Sequence, residues 1–159
     1  MNYFRFIRSI IPLLFYLLNL PAFSQTKPNN QIIYLEHSSS NLSVIIHQNN
    51  LEATEYKDSY DNPVSSIPSG RKEVKKKYTL TKEELNDLIT LIKKNGFMSL
   101  PKSEYGANIK DRFYSYTLYV KAEGKEKKVL YRSNPSAEAA PKAFLEIEAM
   151  VNKLYQKAR

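Results

Sequence analysis

The sequence contains no cysteine, only two histidines and only four glycines in 159 residues. Without cysteine there is no disulfide to staple the fold and no thiol to carry a lipid anchor, so stability has to come from a packed core. A chain of this length can build one. Four scattered glycines leave no glycine-rich phosphate loop. Two histidines, His37 and His47, are a poor start for zinc, which takes three or four His, Cys or carboxylate ligands. They are equally poor for activating a Ser or Thr nucleophile, which needs an adjacent base. Beyond the first 24 residues no stretch is apolar enough to span a bilayer. The whole chain is 42% apolar and 25% charged, with a formal charge of +8, the composition of one globular domain and not of a disordered chain.

The first 25 residues, MNYFRFIRSIIPLLFYLLNLPAFSQ, read as a targeting segment. Arg5 and Arg8 form a positive start, an apolar run follows to Leu20, and Ala22 and Ser24 stand at the small-residue positions of a cut between Ser24 and Gln25. That is the order of parts in a secretory signal peptide. The expected organisation is a signal peptide over 1–24, a polar flexible lead-in over 25–30 and a single domain over 31–159. Export to the periplasm or medium follows, without lipidation.

In the mature chain, residues 31–37 (QIIYLEH) and 42–48 (LSVIIHQ) are β-branched runs joined by a serine-rich turn, which predicts a hairpin. That hairpin sets His37 near Ser43 and His47 near Ile33, at opposite ends of the ribbon. Residues 51–57 alternate as a third strand, and 73–80 alternate as an edge strand guarded by lysines. Between them, residues 58–70 (DSYDNPVSSIPSG) form a long loop. Thr81 and Glu84 predict a capping box, and Leu85, Leu88, Ile89 and Ile92 the buried stripe of a helix over 82–95 that stops at Gly96.

A turn at Glu123–Gly124 closes a second hairpin over 112–131 and fixes its register. Leu118 then faces Val129 and Tyr116 faces Tyr131 on one side. Tyr119 faces Lys128, Ser115 faces Arg132, and Lys121 meets Glu126 as an ion pair on the other. Pro141 opens a last helix to about Gln156, buried through Phe144, Ile147, Val151 and Leu154. The expected fold is α+β: one twisted, mostly antiparallel sheet of about six strands with two helices on one face.

From about residue 72 to 154 this succession resembles the emfourin-like proteins, small inhibitors of thermolysin-type metalloproteases. The resemblance lies in LTKEELNDLITLI (80–92), Gly96, Phe97, Met98, Ser99, Leu100 and Pro101, then Asp111, Arg112, Phe113, Tyr116, Leu118 and Val120. The Gly124 turn, a basic–apolar return strand and the helix opened by Pro141 complete it. It implies the α+β fold above, a protein partner of the protease class and no catalytic residue or cofactor. Uncharacterised exported bacterial domains share the layout.

Asp58, Asp61 and Asn62 lack the spacing and the bidentate Glu of a calcium loop and read as turn chemistry. Glu83 and Glu84 belong to a helix start. No catalytic or metal site emerges. The remaining feature is basic surface: Arg71, Lys72, Lys75 and Lys77 near one strand, and Phe113, Tyr119, Lys128 and Arg132 on the outer side of the second hairpin. For an exported chain that surface points to an acidic polymer, host matrix or an acidic protein face, and not to nucleic acid. The two functional expectations are a non-enzymatic protein-binding module, which the resemblance makes a metalloprotease inhibitor, and an envelope or surface protein that binds polyanions.

Overall fold

The computed structural model describes residues 33–64 and 66–159. The targeting segment, the lead-in and the first two residues of the expected first strand lie outside the described residues. Among the described residues, seven strands, two α-helices and one 3-10 turn follow one another: β1 (Ile33–Ser38), β2 (Leu42–His47), β3 (Asn50–Ser59), β4 (Gly70–Thr79), α1 (Lys82–Lys94), the 3-10 turn Phe97–Ser99, β5 (Glu104–Gly106), β6 (Tyr114–Ala122), β7 (Lys125–Ser133) and α2 (Lys142–Tyr155). The strands form one sheet in the order β4-β3-β2-β1-β6-β7-β5. Every pairing is antiparallel except β5 with β7. The class is therefore the α+β one expected, with seven strands in place of about six. The extra strand, β5, is three residues long and has no periodicity of its own to reveal it.

Alternation sorts each strand into two faces. Ile33 and Leu35 of β1, Val44 and Ile46 of β2, Leu51 and Ala53 of β3, Leu118 and Val120 of β6, and Val129 of β7 are buried on one side. Leu88 and Ile92 of α1 and Phe144, Ile147, Val151 and Leu154 of α2 pack on that same side, with Phe97 beneath the exit of α1. Both described helices cover one face, and among the described residues no element lies over the opposite face of the sheet.

Local chemistry sets the helix ends as the sequence predicts. Thr81 Oγ1 accepts from the Glu84 amide at 3.2 Å, and Glu84 accepts from the Thr81 amide at 2.8 Å. Gly96 adopts φ 76°, the left-handed stop. Pro141 stands just outside α2, at its N-cap, one position earlier than a first-turn proline. The hairpin β6–β7 has the expected register, Ala122 opposite Lys125 and Tyr119 opposite Lys128. Glu123 and Gly124 both have positive φ, as a primed turn requires.

Three departures matter for function. Residues 58, 59 and 70 belong to strands, so the loop is shorter, 60–69, and Asp58 stands in β3 opposite Arg71. β2 reaches only as far as Glu55 along β3, so Tyr56 to Ser59 and Gly70 to Glu73 project beyond it as a two-stranded arm. Finally, Arg159 returns to the outer edge of β4, where its amide and carbonyl bond reciprocally with those of Lys77 at 3.3 and 3.1 Å.

Candidate functional site

The uncovered face is read row by row from the pairings. Lys77, Glu52, Ile45, Glu36, Tyr119 and Lys128 make one row from β4 to β7. Lys75, Thr54, Ser43, Ser38, Thr117 and Leu130 make the next. At its centre three rings cluster. Tyr34 meets Tyr119 edge-on at 5.8 Å between centroids and lies 6.2 Å from His47. The phenols are anchored by acids: Tyr119 donates to Glu126 at 2.8 Å and Tyr34 to Glu36 at 3.3 Å. Their pKa values are raised, Tyr34 chiefly by burial and Tyr119 chiefly by its hydrogen bond to Glu126. The patch thus presents two phenols, each tied to a neighbouring acid, beside the exposed His47 ring.

The eight candidate residues stand on β4 and at the second hairpin, but not all on one face. Arg71, Lys75 and Lys77 project to the uncovered face, but Lys72 alternates to the helix side, because residues one apart on a strand point oppositely. Tyr119, Lys128 and Arg132 share the uncovered face with Phe113 beside them, yet β4 and β7 stand five strand spacings apart, roughly 24 Å. Two separate patches result. Acids neutralise part of each: Arg71 lies 3.4 Å from Asp58, Lys77 2.8 Å from Glu52, and Arg132 2.8 Å from Glu104 while its guanidinium covers the Phe113 ring at 5.7 Å. The expected Lys121–Glu126 pair does not form, since the Glu126 carboxylate accepts from Tyr119. Lys72, Lys75 and Lys128 make no ion pair among the described residues.

The histidines differ in kind and in register from the sequence expectation. His37 stands opposite Val44 and His47 opposite Tyr34, each one residue away from the expected partner. His47 is exposed on the aromatic platform. His37 is buried, with its Nδ1 unpartnered and its Nε2 3.7 Å from Glu148 of α2. A charged pair would raise the histidine and lower the acid. Here burial dominates both, raising Glu148 and lowering His37 against a smaller upward pull from the Thr117 backbone, because 3.7 Å is too long for a hydrogen bond between the two side chains. Glu148 is the neighbour that sequence reading missed, since no local pattern links residues on a strand and a helix so far apart in the chain.

Of the expected turn residues, Asp58 pairs with Arg71 across the strands, while Asn62 and the Asp61 backbone take part in turn bonds. Asn62 accepts from the Val64 amide at 3.0 Å, and Ser69 bonds both the Asp61 amide and the Ser59 carbonyl. No group of three or more potential metal ligands gathers among the described residues. One hollow of about 180 Å³ lies between α1 and the β6–β7 turn, lined by Ile33, Ile89, Ile92, Met98 and Ala122 and bridged by Lys93 and Glu123 at 2.8 Å. Two more open depressions lie beside β4 at Lys77 and Arg159, and beside β7 at Lys128 and Glu104. No helix among the described residues is long and apolar enough to cross a membrane.

The family described as "Domain of unknown function (DUF6438)" matches residues 69–155, from the start of β4 to the end of α2 and a little over half of the chain. No curated protein matches the sequence.

Proposed function

The chain belongs to this family of unknown function, and on that premise we propose that it is an exported, non-enzymatic module that binds another protein. The observation that carries the reading is the one-sided cover of the sheet. Two helices bury one face, and the other presents seven strands of ordered side chains with an aromatic platform at its centre. Ordered rings flanked by hydroxyls form a surface for contact, as interfaces enriched in tyrosine do. The signal-peptide pattern before Gln25 supplies the exported setting. The concrete version is the emfourin-like one, an inhibitor of a thermolysin-type metalloprotease, supported by the resemblance over residues 72–154.

Two measurements test it. Titration of a thermolysin-type protease with the protein should lower peptide hydrolysis at micromolar concentrations; unchanged hydrolysis removes the inhibitor version. Co-purification with one stoichiometric exported protein supports the wider reading, and its loss on changing Tyr34 and Tyr119 to Ala would locate the contact. The polyanion reading is the weaker of the two. The cations it needs stand in two patches, and Arg71, Lys77 and Arg132 already face acids. Binding to heparin that falls steeply with salt would favour it instead.

A further inference from the structure

We propose that the edge of β4 at Arg71, Glu73 and Lys75, unpaired among the described residues, takes an extended, acidic segment of a partner protein as an added strand. This deepens the protein-binding reading above and rests on it.

Backbone direction is the first support. Lys77 bonds Arg159 through both its amide and its carbonyl, so these groups point away from β3. Backbone direction repeats every second residue along a strand. The amides and carbonyls of Arg71, Glu73 and Lys75 therefore point the same way, outward from the sheet. The reciprocal Arg159 bonds also show that this edge accepts antiparallel backbone, and a further strand would continue along the same line. At the other side of the sheet, β5 is only three residues long and offers no comparable edge.

Charge selects the occupant. Side chains of an added strand alternate between the two faces. The alternation that divides the basic cluster places one unpaired cation on each: Lys75 on the uncovered face and Lys72 on the helix side. An acidic strand meets opposite charge on both faces. A second copy of the same edge, paired antiparallel about Glu73, would set Arg71 against Lys75 and Glu73 against Glu73, and like charges across strands repel. The arm formed by Tyr56 to Ser59 and Gly70 to Glu73 supplies a further reason. It projects beyond β2 as two strands only, and a third strand is what such a ribbon lacks for stability.

The test uses the full chain and a blocked, glutamate-rich peptide of about eight residues, with a twin N-methylated at alternate residues to remove its strand-pairing donors. Binding is followed by isothermal titration and by amide exchange. The plain peptide should bind and slow exchange at Arg71, Glu73 and Lys75, and the methylated twin should bind at least about tenfold more weakly. Lys72→Glu together with Lys75→Glu should abolish binding. Glu73→Pro removes an outward amide and an acid together: strand pairing predicts weaker binding, and simple charge attraction predicts stronger. An edge position tolerates proline, and circular dichroism checks that the variant folds.

Equal affinity for the two peptides, or stronger binding by Glu73→Pro, overturns the proposal. So does a concentration-dependent dimer in which these amides are already protected. If Glu73→Pro still captures the exported partner at full strength, the edge is refuted and the protein-binding reading stands. If the wild-type chain has no partner, the reading itself fails.

Discussion

Replacing Glu84 by Gln removes one charge and almost no volume at the point where three parts of the chain meet. Glu84 closes the capping box at the start of α1, accepts the Tyr78 hydroxyl from β4 at 3.0 and 3.1 Å, and pairs with Lys157 beyond α2. Lys157 is the main reason its carboxyl is held down to about 2 from the ordinary 4.5, aided by the Thr81 amide and Tyr78 and opposed by burial. Converted in full, that depression is worth ~3 kcal/mol. The side chain is 14% exposed, and water screens a pair at such a rim, so the expected loss at pH 7 is ~1–2 kcal/mol. Gln keeps the capping geometry. Glu84→Ala also loses the capping box, adding about 1 kcal/mol. The sign follows from linkage. A carboxyl depressed in the folded state adds stability that is complete above 4.5 and disappears as the pH falls through about 2. Urea unfolding followed by far-ultraviolet dichroism at several pH values should show the Glu84→Gln deficit shrinking towards zero at pH 2. A variant as stable as wild type at pH 7, or a deficit unchanged at pH 2, refutes the reasoning.

Gly106 has φ 89°, and a Cβ there would lie 2.1 Å from the Arg132 carbonyl oxygen, so Gly106→Ala should cost at least about 2 kcal/mol and release β5 to rapid amide exchange. Gly96 has similar backbone strain with nothing within 4 Å, and Gly96→Ala should cost only about 1 kcal/mol in the same urea assay. Phe144→Ala empties a fully buried position beneath the sheet, and thermal unfolding should report a loss of ~3–5 kcal/mol. Glu148 is raised by burial, so its contribution is present below pH 4.5 and lost as the pH rises through its folded value. Glu148→Gln should therefore leave stability at pH 4 unchanged and increase it at pH 8. A decrease at pH 8 would mean that the contact with His37 acts as an ion pair. His37, lowered by burial, contributes in the opposite sense, with stability complete above pH 6.5 and lost as the pH falls.

Much of this architecture is readable where the determining physics is local. The capping box of Thr81 and Glu84, the left-handed Gly96 and the Glu123–Gly124 turn involve neighbours in the chain, and each stands where its residues predict. The hairpin register follows from its turn, so the pairing of Tyr119 with Lys128 is legible as well. The β1–β2 register is one residue off because its connecting turn carries no glycine to fix it. β5 escapes because a three-residue parallel strand exists only through the neighbour it joins. Clustering along the chain also misleads about surface: Arg71 and Lys72 are adjacent in sequence and opposite in space.

By itself, then, the sequence determined the α+β class, both helices, the buried stripes and most turns, because periodicity and capping act within a few residues. It also placed cations along one strand. Only the tertiary structure decided how far apart the two basic groups stand, that Tyr34, His47 and Tyr119 meet on one sheet face, and that Glu148 confronts His37. It likewise decided that Arg159 returns to pair with the edge strand that the lysine alternation predicts. These relations depend on strand order and helix docking, which join residues far apart in the chain and leave no local pattern to read.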